Sequence, residues 1–258
     1  MDLQLEGLTV VVTGAGRGIG LAVARAFSRE GARVVAGSRS VTDELGELAQ
    51  DGRSSAVALD LTTNAGAARL AELAGDRVDV LVNNVGAAPA RPGGFLEVTD
   101  EQWESTWNLN LMAAVRVTRA VLPRMLDAGG SIVNTGSVNA RLPDPVVVDY
   151  SAAKGALVNL AKSWSKEFGP RGIRVNTVDP GPVSTPLWLG AGGVAETLGQ
   201  AGGLSPAEVA ANAAAQMVTG RFTTPEEVAD VVLVLASPRI ANLTGSDVTV
   251  DGGLITTI

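Results

Sequence analysis

Thr13-Gly14-Ala15-Gly16-Arg17-Gly18-Ile19-Gly20 stands between a short apolar run, Leu8–Thr13, and a helical pattern, Ile19–Glu30. Counted from Gly14, the sixth position is Ile19, so the spacing is not G-x-G-x-x-G. It is Gly-x-x-x-Gly-x-Gly through Gly14, Gly18 and Gly20. Glycines permit a tight strand-to-helix turn and let backbone N–H groups approach a pyrophosphate at a helix N-terminus. Glycine clusters occur in ordinary loops too. A strand before and a helix after give this one its meaning.

Outward from the turn, β-rich apolar runs alternate with longer helical stretches. Strands are predicted at Leu8–Thr13, Arg33–Gly37, Ala56–Asp60, Val80–Val82, Ser131–Thr135, Arg174–Val178 and Val248–Val250. Helices are predicted at Ile19–Glu30, Leu45–Asp51, Ala65–Ala74, Glu101–Leu126, Tyr150–Phe168 and Glu226–Ala236. Thr99-Asp100 and Thr224-Pro225-Glu226 supply helix starts, and Gly169-Pro170 a stop. Such alternation implies a parallel sheet covered on both faces. With no linker, charge run or repeat, residues 1–258 read as one α/β domain. The fold expected is a single Rossmann-like doubly wound domain, a seven-stranded parallel sheet with helices on both faces. Gly181–Gly220 interrupts the alternation after the sixth strand, where open α/β sheets bind ligands. It reads as a substrate-binding lid or as a surface and subunit contact.

The composition narrows the chemistry. The chain has no histidine and no cysteine, which removes Ser-His-Asp hydrolysis, His-based zinc sites, thiolate metal sites and disulfides. No metal site is expected. A net charge of −7 argues against a nucleic-acid partner. Apolar runs such as Val231–Leu235 are too short to span a bilayer, and the acidic N-terminus lacks a signal-peptide layout. No membrane association and a cytoplasmic location are therefore expected, which the absence of cysteine fits.

Tyr150 is the one tyrosine, and Lys154 follows it by four residues. The two titrate near ~10 and ~10.4 when free. Four apart on a helix they share a face, and an ammonium beside a phenol favours the phenolate. A phenol tuned in this way exchanges protons with an alcohol or alkoxide. An isolated Tyr-x-x-x-Lys is more commonly a packed aromatic beside a solvated lysine, so the rest of the chain decides.

Thr13-Gly14 with Gly18-Ile19-Gly20, then Asn83-Asn84-Val85-Gly86, then Tyr150 and Lys154, together resemble the short-chain dehydrogenase/reductase family. Asn110, Ser137 (thirteen residues before Tyr150), Pro180-Gly181 and Asp251-Gly252-Gly253 continue the match in the family's order along essentially the whole chain. The resemblance implies a catalytic set of Asn110, Ser137, Tyr150 and Lys154. Tyr150 would be the proton donor for carbonyl reduction or the base for alcohol oxidation. Lys154 would lower its pKa and hold the nicotinamide ribose. Ser137 would bind the substrate oxygen, and Asn110 a water linking Lys154 to solvent. Gly14, Gly18, Ile19, Gly20, Asn84, Gly86, Pro180, Gly181, Val183 and Thr185 would contact the cofactor, and Asp60 and Leu61 its adenine. Asn83 would support the neighbouring strand. Val85 stands where the family usually has alanine, and Asp179 where a small or neutral residue is commoner. The Asp179 carboxylate either alters the electrostatics near the nicotinamide or points to solvent.

NAD-preferring members carry an acid at the end of the second strand. Here Ser38 takes that place, with Arg39 beside it and Arg17 in the glycine turn. Two guanidinium groups and a hydroxyl suit the 2′-phosphate of NADP(H) over NAD(H). The substrate wall is expected from Ser137, Asn139, Leu142, Val148, Trp188 and Met217, a mainly apolar set. That favours NADPH-dependent reduction of an apolar ketone, or oxidation of a secondary alcohol. Reduction of a 3-oxoacyl group on acyl carrier protein is the alternative within enzymes. A non-catalytic NADP-binding sensor or scaffold is the alternative outside them. The family resemblance also implies a homotetramer or homodimer through the two long helices and the last strand, with Leu254–Ile258 at a contact.

Overall fold

Val10, Val11 and Val12 are fully buried within β1 (Thr9–Thr13), as expected of a strand covered on both faces. The structure, a computed structural model, describes residues 2–257. Met1 and Ile258, the latter in the stretch expected at a subunit contact, lie outside the described residues. After β1 come α1 (Gly18–Arg29), β2 (Arg33–Ser38), α2 (Asp43–Leu48), β3 (Ser55–Ala58), α3 (Asn64–Ala74) and β4 (Val80–Asn83). The chain continues through α4 (Asp100–Trp107), α5 (Ala113–Val121), β5 (Gly130–Thr135), α6 (Val148–Phe168) and β6 (Ile173–Pro180). It ends with α7 (Pro186–Leu189), α8 (Val194–Gly202), α9 (Pro206–Ala215), α10 (Pro225–Ala236) and β7 (Asp247–Val250). The strands form one seven-stranded sheet in the order β3-β2-β1-β4-β5-β6-β7, with every pairing parallel. This is the single doubly wound α/β domain expected.

Alternate residues of each strand feed opposite cores. Val10, Val12, Val34, Val80 and Val82 pack with Phe27 of α1 and Val232 of α10. Val11, Val35, Leu81 and Ile132 pack with Leu70 of α3, Val121 of α5 and Trp164 of α6. From β1 the chain winds outward to β2 and β3, then returns to β4 on the other side. The loops after β1 and β4 therefore part and leave a crevice at the carboxyl ends of the strands.

Several boundaries shift from the sequence reading for identifiable reasons. β3 stops at Ala58, opposite the end of β2 at Ser38. Asp60 then turns the chain by accepting hydrogen bonds from the Thr62 amide and hydroxyl, at 2.9 and 2.6 Å. β6 runs on to Pro180 because β7 pairs with it as far as Pro180↔Val250. The stretch expected as one helix, Glu101–Leu126, changes pitch at a π turn, Asn108–Met112, and tightens into a 3-10 turn at Leu122–Arg124. A π turn inside an α-helix commonly marks a functional position. Three helices, α7 to α9, make up most of Gly181–Gly220. α9 begins on a capping box of Ser205 with Glu208 and ends at Ala215.

Candidate active site

The carboxyl ends of β1, β2, β4, β5 and β6 open into one cleft of about 950 Å³, roofed by residues of α7 to α9. The glycine turn forms its floor at one end. Gly14, Gly16, Arg17, Gly18 and Ile19 line it. Gly20 does not: it faces inward, where a Cβ would lie 2.3 Å from Gly14 O and 2.5 Å from Asn84 Nδ2. It therefore closes the turn and makes no direct contact with the cleft, a correction to its expected role. The first turn of α1 has no side-chain cap, because Arg17 in the N-cap position makes no such bond. Its N–H groups are left for a ligand.

Ser38, Arg39 and Arg17 meet at the same end of the cleft, with Asp60 and Leu61 beside them. The Ser38 hydroxyl donates to Ser40 O. The hydrogen bonds from Thr62 hold the Asp60 carboxyl below its usual range, and the charge of Arg39 adds to the effect. Asn84 braces the centre. Its Nδ2 donates to Thr13 O at 3.2 Å and Gly14 O at 3.3 Å, and its Oδ1 accepts from Thr135 at 3.3 Å. Asn83, one residue earlier, lies below the site and donates to Thr118 and Asn134.

α6 carries Tyr150 and Lys154 to the cleft, and β5 delivers Ser137 opposite them. Lys154 Nζ lies 5.6 Å from the centre of the Tyr150 ring and donates to Thr135 O at 2.6 Å. Ser137 Oγ donates to Asn139 Oδ1 at 3.3 Å and accepts from Asn139 N at 3.2 Å. Burial pushes the Tyr150 phenol up to about 12, against the downward pull of its hydrogen bond with Ser137; the charge of Asp179 adds to the rise. The phenol is thus raised and not lowered as expected, because desolvation outweighs the hydrogen bond with Ser137. Burial lowers the Lys154 ammonium to about 8, with Asp179 opposing.

Asn110 sits on the π turn, 1% exposed. Its Nδ2 donates to Ala87 O and Thr106 O, both at 3.0 Å, and its Oδ1 accepts from Ala87 N at 3.1 Å. Both amide protons are used, so the side chain ties the loop after β4 to the helix and keeps one lone pair spare. It does not face solvent. Gly86 lies between Asn110 and Lys154: a Cβ there would fall 2.8 Å from Asn110 Oδ1 and 3.5 Å from Lys154 Nζ.

Pro180, Gly181, Val183 and Thr185 line the far wall, and Asn139, Leu142 and Trp188 the substrate half. Val148 and Met217 lie outside the walls, correcting their expected roles. Val148 opens α6, and its neighbour Val147 lines the cleft in its place. Met217 is 3% exposed and packs on the Gly252 turn, while Gln216 faces the cleft instead. Of two buried charged groups at the site, the sequence reveals nothing of Asp149 and leaves the direction of Asp179 open. Asp149, fully buried, accepts from Arg91 Nη2 at 2.6 Å and Thr106 Oγ1 at 2.7 Å, which fastens the loop after β4 to the turn that carries Tyr150. Asp179, also fully buried, accepts from Ser137 N at 3.1 Å. It points neither to solvent nor into the cleft. No periodicity marks either residue, because their partners are remote in sequence.

An uncapped helix start, a floor without side chains and a pair of arginines at one end fit a dinucleotide with phosphate groups. Gly14, Gly18, Asn84, Lys154 and Thr185 line the cleft there and would hold it. Known proteins agree. A family model described as enoyl-(acyl carrier protein) reductase matches residues 14–255. The chain is 35% identical to a 3-oxoacyl-[acyl-carrier-protein] reductase of Thermotoga maritima, covering 98% of this chain and all of that protein. It is 37% identical to L-xylulose reductase of Bos taurus, end to end in both. It superposes with a TM-score of 0.91 on L-sorbose reductase of Gluconobacter frateurii, solved with NADPH and L-sorbose, at 34% identity over 100% of both chains. The chain belongs to the short-chain dehydrogenase/reductase family and is an oxidoreductase of CH–OH and C=O groups that uses a nicotinamide cofactor.

Proposed function

We propose that this protein is an NADPH-dependent carbonyl reductase, working in reverse as a secondary alcohol dehydrogenase, on a mainly apolar ketone or alcohol. The observation that carries the substrate class is the wall around Ser137 and Tyr150. Val138, Leu142, Val147 and Trp188 stand there, with Lys154, seated on Thr135 O, as the cation beside them. An apolar wall excludes water and strengthens the few polar contacts inside it. NADPH, when bound, supplies the hydride. Ser137 holds the carbonyl oxygen as charge develops on it. Tyr150, protonated throughout the neutral range, gives its proton to that oxygen. Lys154, its ammonium seated on Thr135 O, stabilises the phenolate left behind and holds the ribose. Arg39, Arg17 and Ser38 favour the 2′-phosphate. Residues Gly181–Gly220 act as the substrate lid.

Following NADPH consumption with simple aryl and alkyl ketones, with L-sorbose and L-xylulose, and with a 3-oxoacyl carrier protein tests this reading. The ketones are expected to give the largest kcat/KM. A large preference for the carrier-bound substrate or for a sugar overturns the substrate class. The carrier-bound reading has one observation in its favour, the Thermotoga maritima relative. We infer further that the chain assembles as a homotetramer or homodimer. Phe95 and Leu96, 65% and 94% exposed beside α4, are the apolar surface such a contact would cover. Sedimentation equilibrium decides it. Among the described residues no helix is long and apolar enough to cross a membrane.

A further inference from the structure

Behind Ser137 stands a row of charges that the chemistry above leaves unused. Asp179 lies near the end of β6. Its Oδ1 accepts the Ser137 amide, and its Oδ2 faces Arg141 Nη1 at 3.2 Å, an ion-pair contact without hydrogen-bond alignment. Arg141, 42% exposed in its side chain, also reaches Asp247 of β7 at 2.8 Å and Thr249 at 3.4 Å. Alternating charges thus lead from the surface to the backbone of the serine. The room for the carboxylate comes from Gly136, where a Cβ would lie 1.9 Å from Asp179 Oδ1 and 2.7 Å from Thr177 Cγ2. Burying a carboxylate is unfavourable. An asparagine would offer the Ser137 amide the same acceptor without the charge, so seating the serine does not explain why the residue is an acid.

We propose that Asp179 is a positioning residue of the reaction centre: it seats Ser137 and imposes a buried negative charge on Tyr150 and Lys154, with Arg141 and Asp247 linking that charge to solvent. The proposal rests on the reading of Tyr150 as proton donor. The charged groups that act on the carboxylate are Arg141 from the loop after Ser137, Asp247 from β7, and Lys154 from α6, and the carboxylate in turn acts on the Tyr150 phenol. A negative charge there disfavours the phenolate and favours the ammonium. Both effects hold the site in its proton-giving form. Burial lifts the Asp179 carboxyl to about 6, with Arg141 the main opposing influence, so the charge is in place at neutral pH and fades in mild acid.

The lone tyrosine makes the test direct. Tyrosinate ultraviolet absorbance titrates Tyr150 alone, because no other tyrosine is present. Carbon-13 NMR of labelled lysines follows Lys154 among Lys154, Lys162 and Lys166. Asp179→Asn is expected to lower both midpoints, by on the order of one pH unit. Arg141→Gln, which leaves the carboxylate less compensated, is expected to raise both. Unmoved midpoints, or both variants moving the same way, overturn the proposal. The Lys154 titration falls near pH 8, well short of alkaline unfolding. Should Asp179→Asn fail to fold, Arg141→Gln carries the test alone, and unchanged midpoints in it are decisive. Neither titration uses substrate. A flat result therefore strikes the role of Asp179, whereas the parent reading fails only if turnover survives the loss of the Tyr150 hydroxyl.

Discussion

Replacing Arg39 with alanine should separate NADPH from NADH. Arg39 lies exposed just past β2, on the wall where Ser38, Arg17 and Asp60 meet. A charge-assisted hydrogen bond is worth about 1.5–3 kcal/mol, and an exposed, salt-screened guanidinium falls at the low end of that range. One such bond lost corresponds to roughly a tenfold rise in KM for NADPH, with kcat and the NADH parameters nearly unchanged. Ser38 is 7% exposed, and its hydroxyl lies 3.2 Å from where a Gly16 Cβ would stand. Ser38→Asp would place a carboxylate in that confined corner, opposite the phosphate. Two like charges about 4 Å apart repel by about 4 kcal/mol at an effective dielectric of 20. Together, Ser38→Asp and Arg39→Ala are expected to invert the preference to NADH. The assay is the ratio of kcat/KM values for the two cofactors at constant ionic strength. A double variant that still prefers NADPH, or an Arg39→Ala that weakens both cofactors equally, refutes the assignment of this corner to the 2′-phosphate.

Further outcomes follow from the same site. With Lys154 near 8 and Tyr150 near 12, reduction should be level below pH 8 and decline above it as the ammonium is lost. Oxidation should keep rising into alkali with the phenolate fraction; a reductive profile that climbs from pH 8 to 10 contradicts this. Gly20→Ala forces a Cβ against Gly14 O, a backbone atom that cannot rotate away. It should destabilise by about 1–3 kcal/mol and weaken NADPH binding in thermal melts. Gly202→Ala, with nothing within 4 Å of the added carbon, is the matched control. Asp179→Asn should raise Tm at pH 7–8. A carboxyl lifted from 3.8 to about 6 favours the fold only while protonated, so wild type loses about 2–3 kcal/mol as pH rises through 6. The gain should fade as pH falls from 6 towards 4, and an Asn variant less stable at pH 7 refutes the cost assigned to the charge.

The five inner strands were legible because each is buried on both faces and reads as an apolar run between turn residues. Their pairing order was not, although the family resemblance supplied the class. Tyr150 and Lys154 could be paired from spacing alone, since four residues on α6 make one face. Val148 and Met217 were misplaced where that regularity stops, at the first residue of a helix and just past the last. The family resemblance makes Asn110 a candidate for a relay; its commitment to Ala87 and Thr106 depends on a π turn that no residue pattern announces. The Asp179–Arg141–Asp247 row was beyond reach for another reason. Arg141 and Asp247 are 106 residues apart and meet only because β5, β6 and β7 are neighbours in the folded sheet. The unusual acid before Pro180 was visible, but its direction was not.

In the proposed mechanism Tyr150 transfers the proton, in a protein that has no histidine to do so. Tyr150→Phe removes one oxygen and leaves the ring, Lys154 and the cofactor walls in place. NADPH binding, read from cofactor fluorescence, should be kept, while turnover of an aryl ketone falls by about 10²–10⁴-fold, the usual scale of general acid catalysis. Turnover within a few-fold of wild type, with NADPH still bound, would contradict the account.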